Sequence, residues 1–174
     1  MRLNTQNTQC RQRGLEVLGS IITLILLGSS RFLPEQGVKV LLQPYVDLCK
    51  LFYNVRFSYE EGYGYICSTG TFAITSECLG NVFMAMVFVL LFFRFRAYVT
   101  NQTRWLGISC AVSIGLGYLI GSIRILASVP FAQSHFFGLL HGTIGILLYL
   151  GGLITINSIG VRYLVKEELN EKLI

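Results

Sequence analysis

The chain has 174 residues, 53% of them hydrophobic and 13% charged, with a formal charge of +5 and a mean hydropathy of +0.59. That balance excludes a disordered chain and an ordinary soluble domain. The apolar residues form long continuous runs, which predicts one all-α polytopic membrane domain over 1–174 with about four transmembrane helices.

The first span is expected over 15–33, around the run from Val17 to Leu27, with Glu16 and Arg31 snorkelling to opposite interfaces. Arg2, Arg11 and Arg13 precede it and Gly28, Ser29 and Ser30 follow, a pattern that a cleaved signal peptide shares. Next, Val38, Leu41, Leu42, Tyr45, Leu48, Cys49 and Phe52 recur at helical spacing opposite Lys39, Gln43, Asp47 and Lys50. This is the pattern of an outer interfacial helix bent near Pro44. Tyr63 to Cys67 and Thr71 to Thr75 flank Ser68, Thr69 and Gly70 and predict a short hairpin. The second span is expected over 79–95, ending in Arg94 and Arg96. The third, over 105–127, contains a single charge, Arg124; the fourth, over 136–161, contains His141.

Counting Lys and Arg places the N-terminus, the loop with Arg94, Arg96 and Arg104, and the tail with Arg162, Lys166 and Lys172 on the cytoplasmic side. The segment from Arg31 to Glu77 and the connection from Pro130 to His135 are then outside. The expected location is the cell (inner or plasma) membrane, with both termini cytoplasmic. Asn101, Gln102 and Thr103 match a glycosylation sequon, which carries no meaning on the cytoplasmic side. The basic residues stand beside the apolar runs, without a stripe interleaved with aromatics, so no nucleic acid partner is expected.

Three reactive side chains come to one depth in this topology. Cys78 begins the second span at its outer end, Arg124 lies a turn or two below the outer end of the third, and His141 lies in the first turns of the fourth. Ionisable groups in hydrocarbon are costly enough that function is their default explanation. Together the three have the chemistry of a thiol nucleophile: His141 exchanges the proton, and Arg124 holds the thiolate or a developing oxyanion. Each alone has an ordinary reading, the cysteine as a packing residue, the arginine as a snorkelling or lipid-binding charge, the histidine as a hydrogen-bond link between helices. Their coincidence at one depth is what points to a site.

Five cysteines (Cys10, Cys49, Cys67, Cys78, Cys110) form no CxxC pair, so neither a metal site nor a dithiol centre is expected, and no cofactor. Cys49 and Cys67 both lie in the outer segment, and whether they pair is left open. His135 falls in the loop before the fourth span. Gly117 with Gly121, and Gly138 with Gly142, stand four apart and are expected to let helices approach closely.

At these residues the chain resembles the exosortase/archaeosortase family of membrane-embedded cysteine transpeptidases, in a short form similar to exosortase K. The resemblance rests on Cys78-Leu79-Gly80, on Arg124 within Gly121-Ser122-Ile123-Arg124-Ile125, and on His141-Gly142-Thr143-Ile144-Gly145, in order from about Tyr63 to Gly145. Leu79 stands where the family often has a small hydroxylated residue, and Gly121 and Ser122 where an asparagine often precedes the arginine. The resemblance implies catalytic Cys78, Arg124 and His141. It also implies exported protein substrates that end in a short motif, a transmembrane helix and a basic tail, cleaved through a thioester at the outer surface of the bilayer. The alternative is a small transport or lipid- and anion-binding component, in which Arg124 and His141 hold an anionic ligand and Cys78 is incidental.

Overall fold

The computed structural model describes the backbone of residues 2–165 and the side chains of 12–29 and 32–163. The side chains of Arg2, Cys10, Arg11, Ser30 and Arg31, and all of Lys166 and Lys172, lie outside the described residues. The chain is mostly helical: α1 (Arg2–Phe32), α2 (Glu35–Tyr53), α3 (Asn81–Val89, extended by a π turn over Leu90–Arg94), α4 (Gln102–Ser128) and α5 (Phe137–Gly160). Among the described residues four helical stretches are long and apolar enough to cross a membrane: Gln12–Ser29, Ser76–Arg94, Gln102–Phe131 and Phe137–Tyr163. They coincide with the four expected spans to within a few residues, because run length and apolar content are properties of the sequence itself.

The helix around α3 is the centre of the bundle. It packs on α1, α4 and α5 and buries Phe83, Val87, Phe88 and Phe92 completely. Close approach is made by small residues: a methyl group at Gly117 of α4 would run into Met84 of α3, and one at Gly152 of α5 would stand 2.9 Å from Phe83. Gly138, Gly142 and Gly151 face open space, so the expectation of helix packing holds for the pair 117 and 121 and fails for the pair 138 and 142. The periphery is different. Leu24 on α1 is 68% exposed and Ile154 on α5 is 66% exposed, apolar area that water would penalise and a lipid chain would not.

The segment between α1 and α3 forms a cap over one end of this bundle. The expected outer helix is α2; it runs through Pro44 and ends where Asn54 takes a left-handed conformation (φ 52°). Burial pushes the Tyr45 phenol on α2 well above its usual pKa, with the Tyr118 phenol and the Cys78 thiol adding to the effect. Tyr45 stacks on Tyr118 of α4 at 5.2 Å. Tyr118 Oη donates to the Leu41 carbonyl (2.9 Å) and Tyr53 Oη to the Leu126 carbonyl (2.7 Å), fixing α2 across α4.

The expected hairpin is also present. Strands β2 (Gly64–Cys67) and β3 (Ala73–Ile74) pair antiparallel, with Tyr65 opposite Ile74. A third strand, β1 (Phe57–Glu60), pairs with the other edge of β2, giving the order β1-β2-β3. Phe57 and Tyr59 alternate with Ser58 and Glu60, but four residues are too short a run to separate from a loop by period alone. Cys49 and Cys67 are both buried free thiols. Burial and the adjacent Cys67 and Cys78 thiols push Cys49 up to a pKa of about 11, so it stays protonated at neutral pH.

At the opposite end of the bundle Arg96, just after α3, donates to the Glu16 carboxylate of α1. Asn101 caps α4 there, its side-chain oxygen accepting from the Arg104 backbone N–H (3.1 Å). The sequon residue thus has a structural role.

Candidate functional site

Cys78, Arg124 and His141 line one cavity of about 210 Å³ beneath the cap, together with Thr75 and Glu77 before the thiol and Ser128 on α4. Each comes from a different element, as the depth argument requires. Cys78 sits in a 3-10 turn (Ser76–Leu79) ahead of α3, Arg124 one turn before the end of α4, and His141 at the start of the second turn of α5.

The local backbone at Cys78 departs from the expectation that it opens the second span directly. Gly80 takes φ 72°, ψ 24°, a left-handed conformation that breaks the 3-10 turn from α3. An L side chain there costs about 1–2 kcal/mol in backbone strain, and a Cβ would also stand 3.3 Å from the Gly117 carbonyl. This gives a physical reason for a glycine two residues after the cysteine. The Gly80 carbonyl accepts from the Met84 N–H (2.9 Å), so α3 starts after the break, and Cys78 is held apart from it. A methyl group at Gly121 would stand 3.1 Å from Tyr45 Oη and 3.3 Å from the Cys78 carbonyl, so α2, α4 and the cysteine turn converge on that glycine.

Arg124 reaches across to α5. Its Nη1 donates to Tyr149 Oη (3.0 Å), and its guanidinium carbon lies 5.7 Å from the Tyr149 ring centre. The side chain crosses Gly145, where a methyl group would stand 2.8 Å from Arg124 Nε. The glycine four residues after the histidine is therefore the seat of the guanidinium. Arg124 Nε is buried without a hydrogen-bond partner. Among the described residues no carboxylate comes within ion-pair distance of Arg124, although Glu77 faces the same cavity. A half-buried cation with no carboxylate paired to it among the described residues attracts an anion.

His141 stacks on Phe137 (5.7 Å) and its Nδ1 lies 2.9 Å from Ser128 Oγ, which in turn donates to the Arg124 carbonyl (2.7 Å). No hydrogen bond joins Cys78 to Arg124 or to His141; the three share a cavity rather than a bonded triad. His135 is exposed in the turn before α5, outside the site.

Three residues of this constellation are not site candidates by sequence: Ser128, Tyr149 and Tyr45, the last expected only on the apolar face of the outer helix. The first two carry a signal. Gly117, Gly121, Arg124 and Ser128 follow one another at i, i+4, i+7 and i+11 along α4, and His141, Gly145 and Tyr149 at i, i+4 and i+8 along α5. The α4 stripe meets α3 and α2 at its two glycines and the α5 stripe at Arg124 and Ser128. Tyr45, buried with no partner for its hydroxyl, has no such signal, because only the docking of α2 on α4 brings it near. Among the described residues no cluster of three His, Cys, Asp or Glu side chains has the arrangement of a metal site. Comparison with family models, with curated proteins and with solved structures gives no match.

Proposed function

We propose that this chain is a membrane-embedded cysteine transpeptidase or peptidase of the exosortase kind. It acts on exported proteins that end in a short motif, an apolar helix and a basic tail. The observation that carries this reading is the shared cavity, in which a thiol, a guanidinium with no carboxylate partner among the described residues and an imidazole arrive from three separate elements. In the reaction His141 takes the Cys78 proton and the thiolate attacks the scissile carbonyl. Arg124 holds the oxyanion that develops. The C–N bond breaks as His141 returns the proton to the leaving amine, which departs with the substrate's membrane anchor and leaves a thioester. An amine or water then attacks the thioester, giving its proton to His141, and the Cys78 thiolate leaves and takes that proton back as the thiol.

In this proposal the four apolar helices cross the cell membrane with both termini in the cytoplasm. The site and the cap of α2 and β1 to β3 stand on the outer side. An apolar groove of about 720 Å³ between α4 and α5, lined by Ile120, Leu147 and Gly152 among others, gives the substrate helix a bed beside the site. Arg124 without a counter-charge also favours a second reading, an anion-binding or transport component in which the thiol is dispensable.

One experiment separates the two. The chain is expressed with an exported protein of its own organism that ends in an apolar helix and a basic tail, and cleavage is followed at matched protein levels. Cys78→Ala is expected to abolish processing, while Cys49→Ala, Cys67→Ala and Cys110→Ala retain most of it. Normal processing by Cys78→Ala overturns the transpeptidase reading.

A further inference from the structure

The proton transfers assigned to His141 need an imidazole whose free lone pair is on one defined nitrogen. From the hydrogen bonds around it we infer that Ser128 is a positioning residue that holds neutral His141 in the Nδ1–H tautomer and leaves Nε2 as the base. The catalytic consequence rests on the transpeptidase reading; the tautomer itself does not.

The inference comes from counting protons. Ser128 is 2% exposed, and its Oγ lies 2.7 Å from the Arg124 carbonyl oxygen and 2.9 Å from His141 Nδ1. A hydroxyl has one proton to give and lone pairs to receive others. If Ser128 gave that proton to the imidazole, its oxygen would face the carbonyl oxygen at 2.7 Å with no proton between them, at the usual length of an O–H···O hydrogen bond. The proton therefore lies on the carbonyl side. Ser128 Oγ is then an acceptor toward His141, so Nδ1 carries the hydrogen and Nε2 the lone pair.

The same pair of bonds sets the position of the ring. Ser128 is anchored to the carbonyl of the residue that supplies the guanidinium, four positions earlier on α4. The base on α5 and the cation on α4 are thereby registered through one buried hydroxyl. During turnover Nε2 takes the Cys78 proton and later delivers it to the leaving amine, while Nδ1–H stays on Ser128 throughout. The role parallels that of the group that orients a catalytic histidine in other nucleophilic enzymes, supplied here by a neutral hydroxyl.

The chain has two histidines, so ¹⁵N-histidine labelling of a His135→Gln variant in membranes leaves His141 as the single signal. At a pH where the ring is neutral, Nδ1 is expected to give the protonated, pyrrole-type resonance and Nε2 the pyridine-type resonance. Ser128→Ala removes the acceptor and should move the proton toward Nε2, with processing lowered about 10²-fold, the lower part of what positioned acid–base catalysis contributes. Ser128→Thr keeps the hydroxyl and should restore both the tautomer and the rate. A wild-type signal protonated at Nε2 overturns the inference without any variant having to fold, as does an unchanged tautomer in Ser128→Ala. Because the spectrum is recorded without substrate, an active Cys78→Ala protein would refute the proposed function and leave the tautomer result standing.

Discussion

Arg96, where α3 gives way to the turn before α4, donates to the Glu16 carboxylate and lies 5.9 Å from the Phe92 ring. Arg124, near the opposite end of the bundle, has a neutral phenol for a partner and, among the described residues, no carboxylate within ion-pair distance, while each guanidinium keeps one buried nitrogen without a hydrogen-bond partner, Nε in Arg124 and Nη1 in Arg96. Both side chains enter an apolar bundle, yet only one is neutralised. A charge whose task is to hold two helices together is best matched by a fixed counter-charge. A charge whose task is to meet an anion that comes and goes is best left without one, at a standing cost in desolvation. On the proposed function, the first arrangement suits the structural end of the bundle and the second the end that holds the site.

The largest expected effect is at Arg124. Arg124→Lys keeps the charge and loses the planar fork of donors, so processing should fall about 10²- to 10³-fold, the scale of removing an oxyanion donor. Arg96→Lys, facing a carboxylate, should leave processing within a factor of a few. Cleavage assays at matched protein levels check both, and equal losses at the two ends would erase the contrast.

A smaller effect is expected from displacing the guanidinium without altering it. Gly145→Ala puts a methyl group 2.8 Å from Arg124 Nε, whereas Gly142→Ala, three residues earlier on the same helix, meets nothing. Moving a catalytic group by about an ångström can cost as much as 10²-fold, so Gly145→Ala should lower kcat by roughly 10- to 100-fold while Gly142→Ala has wild-type kinetics. Similar behaviour of the two variants would mean that the guanidinium seat does not matter.

The last two predictions concern stability, measured as detergent-solubilised Tm. Glu16→Gln leaves Arg96 without its counter-charge; since Glu16 is exposed, screening limits the loss to at most about 1 kcal/mol. Processing should persist. Tyr45→Phe keeps the ring stacked on Tyr118 and removes a buried hydroxyl that has no partner. The effect should be stabilising, by up to about 1 kcal/mol, since an unsatisfied buried polar group is a cost. A lower Tm in Tyr45→Phe would show that the hydroxyl has a bond the geometry does not account for.

Depth was legible in the sequence and azimuth was not. The positions of Cys78, Arg124 and His141 along their runs follow from counting residues from an interface at 1.5 Å per residue, so their arrival at one end needed no tertiary information. Which way each side chain points depends on how the helices rotate against one another. That rotation is set by contacts such as Gly117 on Met84 and Gly152 on Phe83, between residues distant in the chain. Ser128 and Tyr149 therefore stayed hidden although the stripes that carry them can be written down. The break at Gly80 is hidden for another reason: an apolar run of constant character from Leu79 onward gives no local sign that one glycine within it reverses handedness. Of the cap, the α2 amphipathic pattern and the β2 to β3 hairpin have period and turn chemistry to reveal them, and β1 does not.

The pairing of Arg124 with residues of α5 has a consequence for the order in which the protein is made. On the membrane reading α4 is synthesised before α5, so its guanidinium meets the bilayer before Gly145 offers it a seat or Tyr149 a bond. A lone arginine at the centre of a translocated helix costs about 2.5–3.5 kcal/mol, and the rest of α4 must carry that cost in the interval. The placement of Arg124 one turn from the helix end lowers it by keeping the charge within reach of the interface during that interval. A nascent chain arrested between α4 and α5 exposes an orphan cation to lipid, and arrival of the last helix covers it.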